Sequence, residues 1–167
     1  MKKLLLILCL SLTSFLGQAQ TVLPDWDAIR LTEKEDYNAA ANRAAWQAAA
    51  YLLTHPIDKE DKLRGSATRY VIEWMMGSPE YSFTMDAKAM RFAKDNDDWM
   101  ALFLAGMVYY AVSNNVPKAD PKLVTLEACK QVIAYAKNAE YRIKPNAELK
   151  KMMKAADEGK LSDYLNQ

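Results

Sequence analysis

Histidine occurs once in this 167-residue chain, at position 55, and that scarcity removes much familiar chemistry. Zinc sites built on several histidines, and helix-borne zinc motifs, need more than one. A serine nucleophile would have only His55 as its base. Ser66, Ser78 and Ser82 all lie outside a nucleophile-elbow pattern. His55 itself stands before Pro56 at the expected end of a helix, where its ring is placed to bond terminal carbonyls rather than to catalyse. Glycine is also scarce, with five residues in all and no glycine-rich phosphate loop.

Cysteine is limited to Cys9 and Cys129. Cys9 falls inside an N-terminal stretch with the order of a secretory signal peptide. Lys2 and Lys3 are followed by the apolar run Leu4 to Leu12, then by Gly17-Gln18-Ala19, with small residues at the positions a signal peptidase reads. Leu8 before Cys9 is too large for a lipoprotein signal. Cleavage after Ala19 would leave Cys129 alone, so no internal disulfide is expected. Ala128, Val132 and Ile133 surround Cys129 at helical spacing, which reads as a small buried apolar side chain.

Charge of one sign is lacking as well. The chain carries 22 basic and 21 acidic residues, and loss of Lys2 and Lys3 turns the formal charge from +1 to −1. Such a balance gives no pull toward nucleic acid, whose binding rests on phosphate neutralisation. Lys144, Lys150, Lys151 and Lys154 are interleaved with Glu148, Asp157 and Glu158, the pattern of a solvated helix face. Long apolar runs are missing too. Trp99 to Val112 is free of charge but only fourteen residues long, short of the roughly 20 that span a bilayer. The expected protein is therefore exported to the periplasm or beyond, soluble after cleavage near Ala19 and not membrane-embedded.

What is abundant is helix-forming composition, with no alternating β-branched stretch long enough for a sheet. Thr32 with Glu35 predicts a capping box and a helix to about Thr54, stopped by Pro56. Asp58 is expected to cap a second helix to about Met76, and a third, shorter one is expected over roughly 86–94. Asp95-Asn96-Asp97 caps a fourth, the all-apolar core helix. Asp120-Pro121 starts a fifth, running to about Ala139. Asn146 starts a sixth ending near Gly159, and a last turn covers Leu161 to Leu165. The fold class is all-α: about six helices in stacked antiparallel hairpins or a compact helical bundle. Residues 1–19 are the signal peptide, 20–31 an extended segment and 32–167 a single helical domain.

The second and fifth helices echo each other. Ala67, Val71, Ile72 and Trp74 align with Ala128, Val132, Ile133 and Tyr135, and Glu80-Tyr81 aligns downstream with Glu140-Tyr141. This implies an internal duplication, with one hairpin unit over about 32–95 and another over about 96–160, each too small to bury its apolar face alone. The spacing Leu102, Ala105, Gly106, Tyr109, then Ala128, Val132, Tyr135, resembles a tetratricopeptide-type unit. The resemblance implies close packing of two helices over small residues in an α-α superhelix. The loop from Asn115 to Pro121 is longer than that family's and the usual turn proline is absent, so no peptide-binding residues carry over. Separately, the stretch from Trp74 to Phe83 is similar to exported helical proteins of Gram-negative bacteria without an assigned activity, which implies location and architecture only.

Candidate site residues are few. Asp95, Asp97 and Asp98 lack the glycine and distal glutamate of a calcium loop, so no metal and no cofactor are expected. Glu73, between Ile72 and Trp74, with Glu80 as its nearest acidic companion, supplies the carboxylates for an alternative reading as a small cell-envelope hydrolase. Tyr81, Tyr110 and Tyr141 are the tyrosines expected to line a groove for a peptide, a glycan or another envelope protein. The leading expectation is an exported, non-catalytic binding or scaffold module. A third reading is an inhibitor or immunity-type protein acting through its surface.

Overall fold

The computed structural model describes residues 22–166; the expected signal peptide lies outside the described residues. The fold is all-α. Helices α1 (Ala39–Thr54), α2 (Lys62–Gly77), α3 (Asp97–Ser113), α4 (Pro121–Lys137), α5 (Ala147–Asp157) and α6 (Leu161–Asn166) follow one another, with short 3-10 turns at Lys34–Asp36, Arg91–Ala93 and Ala139–Tyr141. No strand occurs among the described residues.

Each of the first five helices starts at an Asn or Asp whose side chain accepts a backbone N–H of the first turn. The caps are Asn38, Asp61, Asn96, Asp120 and Asn146, the residues that best satisfy orphan donors at a helix start. Two expected starts move. The Asp36 carboxylate accepts the backbone N–H groups of Thr32 and Glu33, both at 2.8 Å. It thereby closes a 3-10 turn, and α1 begins only at Asn38 rather than at a Thr32–Glu35 box. Asp58 folds into a turn, accepting from the Glu60 N–H at 2.9 Å, and Asp61 caps α2 instead. The expected helix over 86–94 is reduced to turns and Arg91–Ala93. Asp86 engages the N–H groups of Lys88 and Ala89 as a turn residue, and Asp95 is left-handed at φ 60°. At the other end, Gly159 takes φ 71° just past α5, as a C-terminal glycine should.

α3 is the hub. It packs against α1, α2, α4 and the Arg91–Ala93 turn, and α1 packs against α2. Most of α3 is buried, including Leu102, Phe103, Ala105, Met107 and Val108, which accounts for the lack of charge after its first two residues, Asp97 and Asp98. Its neighbours are small. α1 turns Ala41, Ala44, Ala45, Ala48 and Ala49 inward, and against α4 a glycine meets an alanine. A Cβ built on Gly106 would stand 2.9 Å from the Ala128 Cα, so nothing larger than glycine fits without separating the helices.

The segment ahead of α1 is fastened across the hairpin. Trp26 is 1% exposed, donates its Nε1–H to the Ala44 carbonyl at 3.1 Å and lies with its ring 5.8 Å from that of Tyr51. Asp27 reaches α2, accepting from Ser66 Oγ at 2.7 Å and pairing with Arg69. Asn146 does a similar service at the far side: while capping α5 it donates to the Phe92 carbonyl at 2.7 Å.

The α3–α4 approach yields a test. Gly106→Ala gains helix propensity worth about 1 kcal/mol but overpacks the contact at a cost of about 1–3 kcal/mol. The expected outcome in urea unfolding is a net loss of about 1 kcal/mol, and a larger one for Gly106→Val. An alanine variant as stable as the parent would show that the two helices separate freely.

Candidate functional site

The C-terminal end of α1 sets the geometry from which a surface groove follows. Five carbonyls there are taken by side chains, that of Ala50 by the Thr54 hydroxyl at 2.7 Å. His55 Nδ1 lies 3.0 Å from the Tyr51 carbonyl, in accord with the terminal role expected of that ring. Arg64 of α2 donates to the carbonyls of Leu52 and His55. Tyr135 of α4 also donates to the His55 carbonyl, at 2.8 Å, and Tyr141 donates to that of Thr54 at 2.6 Å. These bonds satisfy the orphan acceptors of a helix end and fix α1 relative to α2 and α4.

With α1 held there, Trp46 comes to stand over α3. It donates Nε1–H to Ser113 Oγ at 2.8 Å and stacks on Tyr109, with centroids 5.9 Å apart and planes at 21°. Trp26, Trp74 and Trp99 are buried, whereas Trp46 is half-buried. Open hollows flank it on both sides. One, of about 610 Å³, is lined by Asn42, Arg43, Tyr81, Val112 and Asn115. The other, of about 660 Å³, is lined by Val22, Leu23, Gln47, Ala50 and Thr54. Trp46 is the shared wall. Among the described residues Arg43 is exposed, has no ion pair and is the one formally charged side chain lining either hollow.

The three candidate tyrosines are dispersed around this surface rather than gathered in it. Tyr81 lines the first hollow, yet it is only 6% exposed and packs on Trp74 at 5.1 Å; burial, then the charge of Glu80, raises its phenol above the usual range. Tyr141 packs on Tyr135 at 4.5 Å with its hydroxyl spent on Thr54, a residue of the second hollow. Tyr110 is half-buried against the core, next to Tyr109. The sequence did not single out Trp46 or Arg43.

The two candidate carboxylates do not share a cleft. Glu73 pairs with Arg69 one turn away and lines a depression between α2 and the start of α3. Glu80 accepts from Asn42 Nδ2 at 3.3 Å and lines a different one beside Tyr37 and Pro79. No group of three or more metal-ligating side chains occurs among the described residues, and no helix there is long and apolar enough to cross a membrane. Compared with known proteins, the chain matches no family model, no curated protein and no solved structure.

Cys129 is fully buried, and burial, helped by the charge of Asp86, pushes its thiol up to about 12. Burial also raises the Tyr70 phenol to about 12, with Tyr37 and Glu73 adding to it. The native state thus keeps protons that the unfolded chain releases near 9 and 10. The stability these two groups supply should be constant below that range and fall as pH climbs through it toward 12, by about 1.4 kcal/mol per pH unit for each such group. Urea titrations at stepped pH read this directly, and Cys129→Ala should flatten the first part of the decline. A thiol reagent that labels Cys129 in the native protein at pH 8 as fast as in the denatured protein would contradict its burial.

Proposed function

We propose that this protein is an exported, non-catalytic binding module. Its groove over α1 and α3 takes an extended peptide segment of apolar and acidic character from another envelope protein. The observation that carries the reading is Trp46. A large aromatic ring, braced from behind by Tyr109 and Ser113, stands half-exposed between two apolar-walled hollows. Aromatic anchors of this kind supply much of the energy of peptide recognition. Arg43 adds a lone positive charge beside it, which favours acidic neighbours on the ligand.

The packing supports a tetratricopeptide-like, duplicated construction. α1 and α3 are the first helices of successive hairpins and lie side by side, which would make their shared face the binding face. The aligned aromatics make equivalent contacts, Trp74 with Tyr81 in one unit and Tyr135 with Tyr141 in the other. Export rests on the N-terminal pattern. The protein recovered from the cell envelope should begin at Gln20, as read by N-terminal sequencing. A product retaining Met1 or Lys2 would overturn it.

Because the other described tryptophans are buried, acrylamide quenching of the indole emission reports chiefly on Trp46. Titration with acetylated octapeptides of alternating leucine and glutamate should protect that emission saturably, while the leucine–lysine counterparts should not. Arg43→Glu should invert the preference, shifting each affinity by roughly threefold to tenfold, the range of an exposed charge pair. Equal, non-saturable responses to both peptides would sink the proposal.

A further inference from the structure

The chain's single histidine stands at one end of the groove. His55 is exposed and lines the hollow it shares with Trp46, Ala50 and Thr54, whereas Arg43 lines the hollow on the far side of Trp46. The imidazole stacks on Tyr51, with centroids 3.9 Å apart and planes at 20°. Its proton is placed by its partners. Nδ1 lies 3.0 Å from the Tyr51 carbonyl and 3.1 Å from Thr54 Oγ1. A carbonyl only accepts, and the Thr54 hydroxyl donates its own proton to the Ala50 carbonyl at 2.7 Å. Nδ1 therefore carries the hydrogen, and Nε2 of the neutral ring is a bare acceptor. Nε2 has no hydrogen-bond partner among the described residues. In an exposed ring whose other nitrogen is spent, it is the polar atom left for a ligand.

The groups that meet this residue come from each neighbouring element. Tyr51 lies under the ring, and its hydroxyl donates to Asp61 at 2.9 Å. Arg64 of α2 and Tyr135 of α4 donate to the His55 carbonyl, and Tyr141 donates to that of Thr54. Burial raises the phenols of Tyr51 and Tyr135 above their usual range. The negative pole of α1 favours an imidazolium there, and the Arg64 guanidinium opposes it. Histidine is the residue type whose ordinary titration falls between pH 5 and 8. A ligand carboxylate meets a lone pair on the neutral ring, but a positively charged N–H donor on the protonated one. We infer, building on the groove reading, that His55 is a pH-gated second anchor for the acidic peptide. Its protonated Nε2–H holds a ligand carboxylate in the hollow opposite Arg43.

The test repeats the Trp46 quenching titration with the leucine–glutamate octapeptide at about pH 7.5 and about pH 5.5, with a leucine–glutamine octapeptide as the uncharged control. The glutamate peptide should bind roughly threefold to tenfold tighter at the lower pH, and the control should show no such gain. His55→Asn keeps an amide N–H for the Tyr51 carbonyl and has nothing in place of Nε2. Its thermal melt should match the parent, and its affinity for the glutamate peptide should no longer depend on pH. One histidine gives one set of imidazole NMR signals, so the reciprocal effect is readable in the unaltered chain. Saturating glutamate peptide should raise the imidazole titration midpoint by roughly 0.5–1 pH unit, the same fold-change seen from the proton's side. If the glutamate peptide binds at neither pH, the groove reading falls and this anchor with it. If it binds equally at both, gains as much in His55→Asn, or leaves the imidazole midpoint unmoved, the groove stands and the anchor alone is overturned.

Discussion

The carbonyls at the C-terminal end of α1 are the point on which the rest of the molecule depends. A helix end exposes four acceptors and the negative pole of its dipole. Here Arg64 from α2, Tyr135 from α4 and Tyr141 from the turn after it all donate into that end. Three segments distant in sequence are thereby fixed to one spot by directional bonds, where apolar packing alone would allow sliding. Placing a guanidinium at the negative pole also explains how Arg64 is held inside without an ion pair among the described residues. The dipole and two carbonyls offset part of its desolvation.

Small residues do the complementary work along the helix shafts. Alanines on α1 and the Gly106–Ala128 contact allow α3 to sit close to α1 and α4. Close backbones leave little room for bulky side chains directly between them, and several large aromatics pack beside the contact instead. Trp26 is pinned over Ala44, Trp74 under Tyr81, and Trp46 rides over the rim of the α1–α3 seam. The groove is thus a consequence of the tight seam: a side chain too large for the interface sits above it and makes walls.

Much of the fold was legible because it depends on local chemistry. Asn and Asp caps, Pro56, Pro121 and Gly159 act within one turn, and the charge-free stretch from Trp99 can only be interior. The errors arose where two residues offered the same chemistry a few positions apart. Asp61 took the place expected of Asp58, and Asn38 the place expected of Thr32, because a cap is chosen by where packing starts the helix. The segment over 86–94 has helical composition but contributes little beyond Ala89, Phe92 and Ala93 to the core, too little burial to sustain a regular helix.

The site was less legible for a different reason. Helical periodicity tells which side of a helix is apolar, and α1 is apolar around much of its circumference, so Trp46 and the inward alanines look alike in one dimension. Only the partner decides: Ala45 and Ala48 are fully buried, while Trp46 meets the end of α3, at Tyr109 and Ser113, and keeps one side open. Arg64 poses the same problem with polarity in place of shape. In sequence it is one more arginine in an amphipathic helix, and nothing local distinguishes it from Arg69. Its burial follows from the convergence of α1, α2 and α4, a property of the assembled fold. The candidate groove therefore arises where the helix packing leaves an aromatic ring half-covered, and Arg64 shows the same incompleteness in polarity, a guanidinium half-bonded.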